Sequence, residues 1–223
     1  MSPRRLLQLH AGLALYGLSI ALLVRADLGL DSWDVLHQGL ARRTGIPLGW
    51  VINAVGVLVL LAWIPLRQRP GYGTVANVAL VGLATEAALA VIPDVRQMAV
   101  RWVVLIAAIL ANALATGLYV GAGFGPGPRD GLMTGLAARG FSIGRVRTGI
   151  ELAVLATGWL LGGTVGPGTV LYALTIGPLV HRLLPYFTLS KGASNASPDR
   201  HHRQHPAEPS RRSGHRLVHQ GRA

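Results

Sequence analysis

Apolar residues in this chain come in long blocks. Leu6–Val24 is apolar apart from a few uncharged polar residues, and as a helix it would measure about 28 Å, enough to cross a hydrocarbon core. Five more blocks follow at Gly49–Leu66, Thr74–Ile92, Arg101–Ala122, Thr148–Leu161 and Thr169–Leu184, the last interrupted by Gly177-Pro178. The pattern predicts six membrane spans. Trp50 and Trp63 fall near the ends of the second and Trp102 at the edge of the fourth, where amphipathic rings favour the membrane interface. The basic leader Met1–Arg5 could open a signal peptide. No small-residue cleavage site follows it, so the first block is expected to stay as a span.

Between the first two blocks lies the stretch Gly29-Leu30-Asp31-Ser32-Trp33-Asp34-Val35-Leu36-His37-Gln38-Gly39-Leu40-Ala41-Arg42-Arg43, and it recurs. Gly29, Asp34, Gly39, Leu40, Ala41 and Arg43 return 96 residues later as Gly125, Asp130, Gly135, Leu136, Ala137 and Arg139. Upstream, Leu18, Leu22, Val24 and Ala26 match Leu114, Leu118, Val120 and Ala122 at the same offset. Downstream, after the loss of one residue, Gly49, Gly71, Gly73, Thr74, Val75 and Gly82 match Gly144, Gly166, Gly168, Thr169, Val170 and Gly177. A single-gap alignment of this length predicts an internal repeat, with one half over about 6–92 and the other over about 101–187. Three spans per half would turn the second half upside down relative to the first, the inverted repeat typical of secondary transporters.

Each copy of the stretch opens like a helix. Asp31 reads as the N-cap with Asp34 reaching back at the third position, and Gly127 with Pro128 takes the same place before Asp130. The starts to watch are therefore Gly29, Asp31, Trp33, Gly125, Gly127 and Pro128. These helices are too short to span a bilayer. Two outcomes stand: half-helices dipping toward the midplane with Asp34 and Asp130 at a polar cavity, or short helices lying in the interface with both acids serving as caps.

Composition narrows the class. Only 13% of residues are charged and mean hydropathy is +0.43, which places the chain in a membrane. The absence of cysteine excludes disulfides and thiolate metal or redox sites. A net charge of +12 does not mark a nucleic-acid groove, because it is spread over short loops and over residues 190–223. That basic His/Arg/Pro/Ser-rich tail is expected to be disordered, to attract anionic lipid, and to hold no firm metal site at His201, His202 and His205. With the N-terminus inside, the loops assigned to the inner face carry more arginine than the outer ones, which puts both termini in the cytoplasm.

Ionisable residues within apolar blocks are functional candidates by default. Glu86 and Glu151 are such acids. His181 occupies the repeat position of Glu86, and Glu151 could pair with Arg147. Arg129 could neutralise its neighbour Asp130, and His37 is expected at the interface. Asn53, Asn77 and Asn112 are expected to hydrogen-bond between helices.

The Gly-x-x-x-Trp-Asp-Val-x-x-x-Gly pattern from Gly29 and the Arg-Pro-Gly-x-Gly-Thr-x-x-Asn turn from Arg69 resemble the bacterial YczE/YyaS/YitT-like integral membrane family. So do Gly-Pro-x-Pro-Arg-Asp-Gly-Leu-Met from Gly125 and Gly-Thr-Val-x-Tyr-Ala from Gly168. The resemblance covers about residues 5–187. It implies a multi-pass protein of the bacterial cytoplasmic membrane and supplies neither reaction nor ligand.

The expected architecture is thus an all-α transmembrane bundle over 1–189. It would have about six spans in two inverted three-span repeats, each with a short re-entrant or interfacial helix, followed by the tail. The expected function is a small transporter-like protein acting on a small molecule or ion through Asp34, Asp130, Arg129, Glu86, Glu151 and His181. The alternative is a membrane scaffold or assembly helper. The chain has no H-E-x-x-H, G-x-S-x-G or P-loop pattern, so neither an enzyme nor a cofactor is expected.

Overall fold

Among the described residues, glycine and proline punctuate the chain into eight helices. A computed structural model describes residues 2–188. Among them lie α1 (Pro3–Ala26), α2 (Ser32–Thr44), α3 (Leu48–Leu66), α4 (Tyr72–Val91), α5 (Met98–Gly121), α6 (Pro128–Ala137), α7 (Ile143–Leu160) and α8 (Pro167–Phe187), with no strand among the described residues. The tail and its histidines lie outside them. α1, α6 and α8 carry proline in the first turn, where a missing N–H leaves no bond unmade.

Five helices, α1, α3, α4, α5 and α8, are long and apolar enough to cross a membrane. The sixth expected span, α7, is an 18-residue helix but is not among the five, because Arg145, Arg147 and Glu151 dilute its hydropathy. Nor does Gly177-Pro178 interrupt the last span. α8 runs unbroken through Pro178 and Pro185.

α1 is the central post. It packs against α4 on one side and α5 on the other, and α5 in turn carries α8. The approach is close because small residues line it. A Cβ on Gly12 would lie 2.8 Å from the Tyr119 backbone nitrogen, and one on Gly17 would lie 2.5 Å from the Ala84 methyl. Inside this packing, Asn112 of α5 donates to Ser19 of α1 at 2.8 Å and accepts from the Tyr172 hydroxyl of α8 at 2.8 Å, tying three helices together. Asn53 also bridges helices, donating to the Ala79 carbonyl of α4.

The loops before the two short helices cross over. The Phe124 carbonyl accepts from Gly73 N–H at the start of α4 (2.9 Å), and the Leu28 carbonyl accepts from Gly168 N–H at the start of α8 (2.8 Å). Both loops then turn through a glycine in the left-handed region, Gly29 (φ 113°) and Gly125 (φ 119°). Neither position has room for a Cβ. It would meet the Thr169 hydroxyl in one case and the Thr74 hydroxyl in the other. The loop before α6 therefore seats on the first turn of α4 and the loop before α2 on that of α8, and this brings the first turns of α2 and α6 together.

The helix pairs α3/α4 and α7/α8 pack differently. α3 and α4 are sealed: a Cβ on Gly82 would overlap the Gly49 carbonyl and the Asn53 amide. α7 and α8 make almost no helix-to-helix contact, and nothing lies within 4 Å of a Cβ placed on Gly144 or Gly177. Gly82→Ala should therefore cost roughly 1–3 kcal/mol through overpacking. Gly177→Ala should be neutral or stabilise by up to about 1 kcal/mol, as alanine replaces glycine in an open helix. Thermal unfolding of the two variants in detergent checks the contrast, and equal losses would contradict it.

Candidate functional site

The first turns of α2 and α6 carry the chemistry. Asp31 caps α2, its Oδ1 accepting the Asp34 N–H at 2.8 Å. Asp34 does not complete the box by reaching back. Its Oδ1 instead takes a bond from His37 Nδ1 one turn on, at 3.0 Å. That bond buries His37 to 3% exposure, so the residue expected at the membrane interface is part of the interior. Asp34 is itself fully buried, and its Oδ2 has no partner, nor does the buried Trp33 Nε1. In α6, Gly127 caps the helix and Pro128 opens it, as expected. The Pro128 carbonyl accepts from Trp63 Nε1 at 3.0 Å. Trp63 is buried because its ring fills the space left by Gly131, so it does not sit at the interface.

Arg129 joins the two turns. Its ion pairs are not with its neighbour Asp130. Its Nη1 lies 3.5 Å from Asp31 Oδ2 and its Nη2 3.6 Å from Asp34 Oδ1. The guanidinium carbon stands 5.2 Å from the Trp33 ring centroid, a cation–π contact. Trp33 and Arg129 are themselves equivalent positions at the 96-residue offset, so the two copies touch through like-placed residues. These ionic distances are long. A pair taken out of water offsets its desolvation only with close, saturated geometry, which this one lacks.

Burial pushes the carboxyls of Asp31 and Asp34 above the usual range, with Asp34 raising Asp31 further, while Arg129 draws both back down. Burial also lowers His37, to about 3, with Arg129 adding to the effect. The imidazole is therefore neutral at ordinary pH and gives its Nδ1 proton to the Asp34 carboxylate. Asp130 is more open. It is surface-exposed, hydrogen-bonded by the Tyr119 hydroxyl, and lies in the field of Arg129, Arg147 and Glu151. All three acids sit in a first helical turn or at its cap, where the helix dipole favours negative charge.

Of the other expected residues, Glu86 accepts the Gly49 N–H at 2.9 Å and helps seal α3 to α4. His181 is exposed, and Glu151 is half-buried without an ion pair to Arg147. None of these three touches Arg129. Three tyrosines also stand at the junction, Tyr16 and Tyr119 outside every motif and Tyr172 within the Gly-Thr-Val-x-Tyr-Ala segment; their hydroxyls stand in the field of the acids and of Arg129. The repeat holds a signal for two of them. Tyr16 is offset by 96 from Asn112, and Asn77 by 95 from Tyr172, so the same two depths are polar in both halves. Cavities border α7, one of about 520 Å³ at Gly140, Phe141, Ser142, Arg145 and Val146 and one of about 320 Å³ at Leu152, Leu155, Ala156, Trp159 and Val165.

Removing Arg129 strands two buried carboxylates. Arg129→Gln should lower stability by about 3–5 kcal/mol, and adding Asp31→Asn and Asp34→Asn should recover most of the loss. Unfolding in detergent measures both. A single variant as stable as the parent would show that the ion pair does not hold the junction.

No solved structure matches this chain. A protein of Haemophilus influenzae named only as uncharacterized is 37% identical over 173 residues, 77% of this chain and 79% of its own. The uncharacterized membrane protein YczE of Bacillus subtilis is 30% identical over 178 residues, 78% of this chain and 83% of its own, and YyaS of the same organism is 23% identical over 181 residues, 78% and 89%. Together with five helices of spanning length, the match to a membrane protein identifies this chain as a multi-pass transmembrane protein. The profile of DUF6198, a family of unknown function, matches residues 3–185, and the chain belongs to that family.

Proposed function

We propose that the protein is a small transporter of the bacterial cytoplasmic membrane, built from two inverted halves, with its site where the first turns of α2 and α6 meet. The observation that carries this reading is Arg129 of one half suspended between Asp31 and Asp34 of the other, beside an unpartnered, fully buried Asp34 Oδ2. The paired bonds Gly73–Phe124 and Gly168–Leu28, which fall on repeat-equivalent residues, support the relation between halves. In this reading α7 is the sixth pass, tolerating its charges because one face borders water, and both termini lie in the cytoplasm. Three carboxylates, Asp31, Asp34 and Asp130, face one guanidinium, so the site suits a small cation or a cationic solute. Binding and translocation need no bond-making chemistry, and the protein is not an enzyme.

A scaffold or assembly helper is the second reading. It draws on the closure of the junction, where Asp34 is wholly inside and Arg129 only 26% exposed, as in a clasp between halves.

Two experiments separate them. The chain has no cysteine, so Ile46→Cys, after α2, and Phe141→Cys, after α6, are clean exposed reporters. Inverted halves predict labelling of the first from outside only and of the second from inside only by a membrane-impermeant reagent. Labelling of both from one side would end the inverted arrangement. Asp34→Asn and Asp130→Asn should abolish cation flux into proteoliposomes while the protein stays folded. Loss of folding without a transport phenotype in any folded variant would favour the clasp.

A further inference from the structure

We infer that the gap between α7 and α8 is a water-filled vestibule leading from the side of the Ala138–Ser142 loop to Asp130, lined by Arg147, Thr148 and Glu151 of α7 and by Gly177 and His181 of α8. The inference rests on the transporter reading for its purpose, but its observations are separate ones. α7 and α8 are joined by the short turn between Leu160 and Pro167. Near that end Leu155 packs on the cluster containing Tyr172 and Leu105. Away from the turn the helices part: Gly144 and Gly177 face no atom within 4 Å. Residues Arg147, Thr148 and Glu151 lie near the start of α7 and His181 near the end of α8, hence at the same open end of an antiparallel pair.

The first half shows what a closed version looks like. Moving back 95 residues along the repeat, Gly144 becomes Gly49, Thr148 becomes Asn53, Gly177 becomes Gly82 and His181 becomes Glu86. Those four residues are the seal of α3 to α4. Gly49 lies against Gly82, Asn53 donates to Ala79 at 3.3 Å, and Glu86 takes the Gly49 N–H. In the second half none of the corresponding bonds is made among the described residues. The positions keep their hydrogen-bonding character but have no protein partner. Ionisable groups at membrane depth face protein or water, because lipid leaves them unsolvated. Gly177 is ten residues from either end of α8, about 15 Å of helix on each side, so it probes the middle of the bilayer. Glu151, eight residues into α7, stands about 12 Å from its start.

The vestibule explains the unequal exposure of the repeat-related acids. Asp34 is fully buried and Asp130 is exposed. Arg147 and Glu151 both act on the Asp130 carboxylate, which places a cation and an acid of α7 beside it on this side of the junction.

Cysteine reactivity tests the vestibule without needing transport. Thiosulfonates react with the thiolate, which forms in water and is suppressed in an apolar environment. Gly177→Cys and Thr148→Cys are open positions. Val57→Cys, at the middle of α3 and 49% exposed, is the lipid-facing control. In proteoliposomes, a charged thiosulfonate added on the side of the Ala138–Ser142 loop should modify both test cysteines at least roughly tenfold faster than Val57→Cys. Equal, slow rates at all three would put lipid in the gap and overturn the vestibule, even with the inverted halves intact. Fast modification of Thr148→Cys alone would confine water to the surface and overturn it equally. Fast modification of both in a protein that moves no cation would keep the vestibule and remove the transport reading.

Discussion

Everything near the centre of this protein depends on one guanidinium shared between two carboxylates of the opposite half. Arg129 stands between the first turns of α2 and α6, 3.5 Å from Asp31 and 3.6 Å from Asp34. A tighter, fully bonded pair would be a strut. Here an acceptor on Asp34 and a donor on Trp33 are left unmet beside Arg129, which is what the transporter proposal rests on. The neutral His37 behind Asp34 fixes the carboxylate without adding charge, so the balance of the site stays with its acids.

The junction can exist because backbone, not side chains, sets its position. Two loops turn through left-handed glycines and hang by main-chain bonds on the first turns of α8 and α4. Each of these bonds also satisfies an N–H that the first turn of its helix leaves open.

Much of this was legible in the sequence, and the reasons differ by feature. Apolar block length revealed the long helices because the bilayer imposes it. The starts of α2 and α6 were legible because capping needs particular residues at particular offsets, and Asp31, Gly127 and Pro128 supply them. The partner of Arg129 was not legible. Sequence proximity pointed to Asp130, whereas the contact to Asp31 and Asp34 depends on a fold that brings positions about 98 residues apart together. Trp63 misled for a similar reason: a tryptophan near a helix end suits the interface unless a glycine on another helix offers a hole, and Gly131 does. The α7–α8 gap was hidden because the repeat argues for equal halves, and the halves are not equal in packing.

The Trp63–Gly131 contact has a further consequence. Its counterpart in the other half is Gly158, which admits the α2 backbone at Val35 and Leu36 where a side chain would collide. Bulk and emptiness have thus been exchanged between matching positions. A chain built from two copies of the first half would drive an indole into that backbone. One built from two copies of the second would face glycine with glycine across a hole. The matching positions carry complementary shapes, so neither stretch could stand in for the other in this packing.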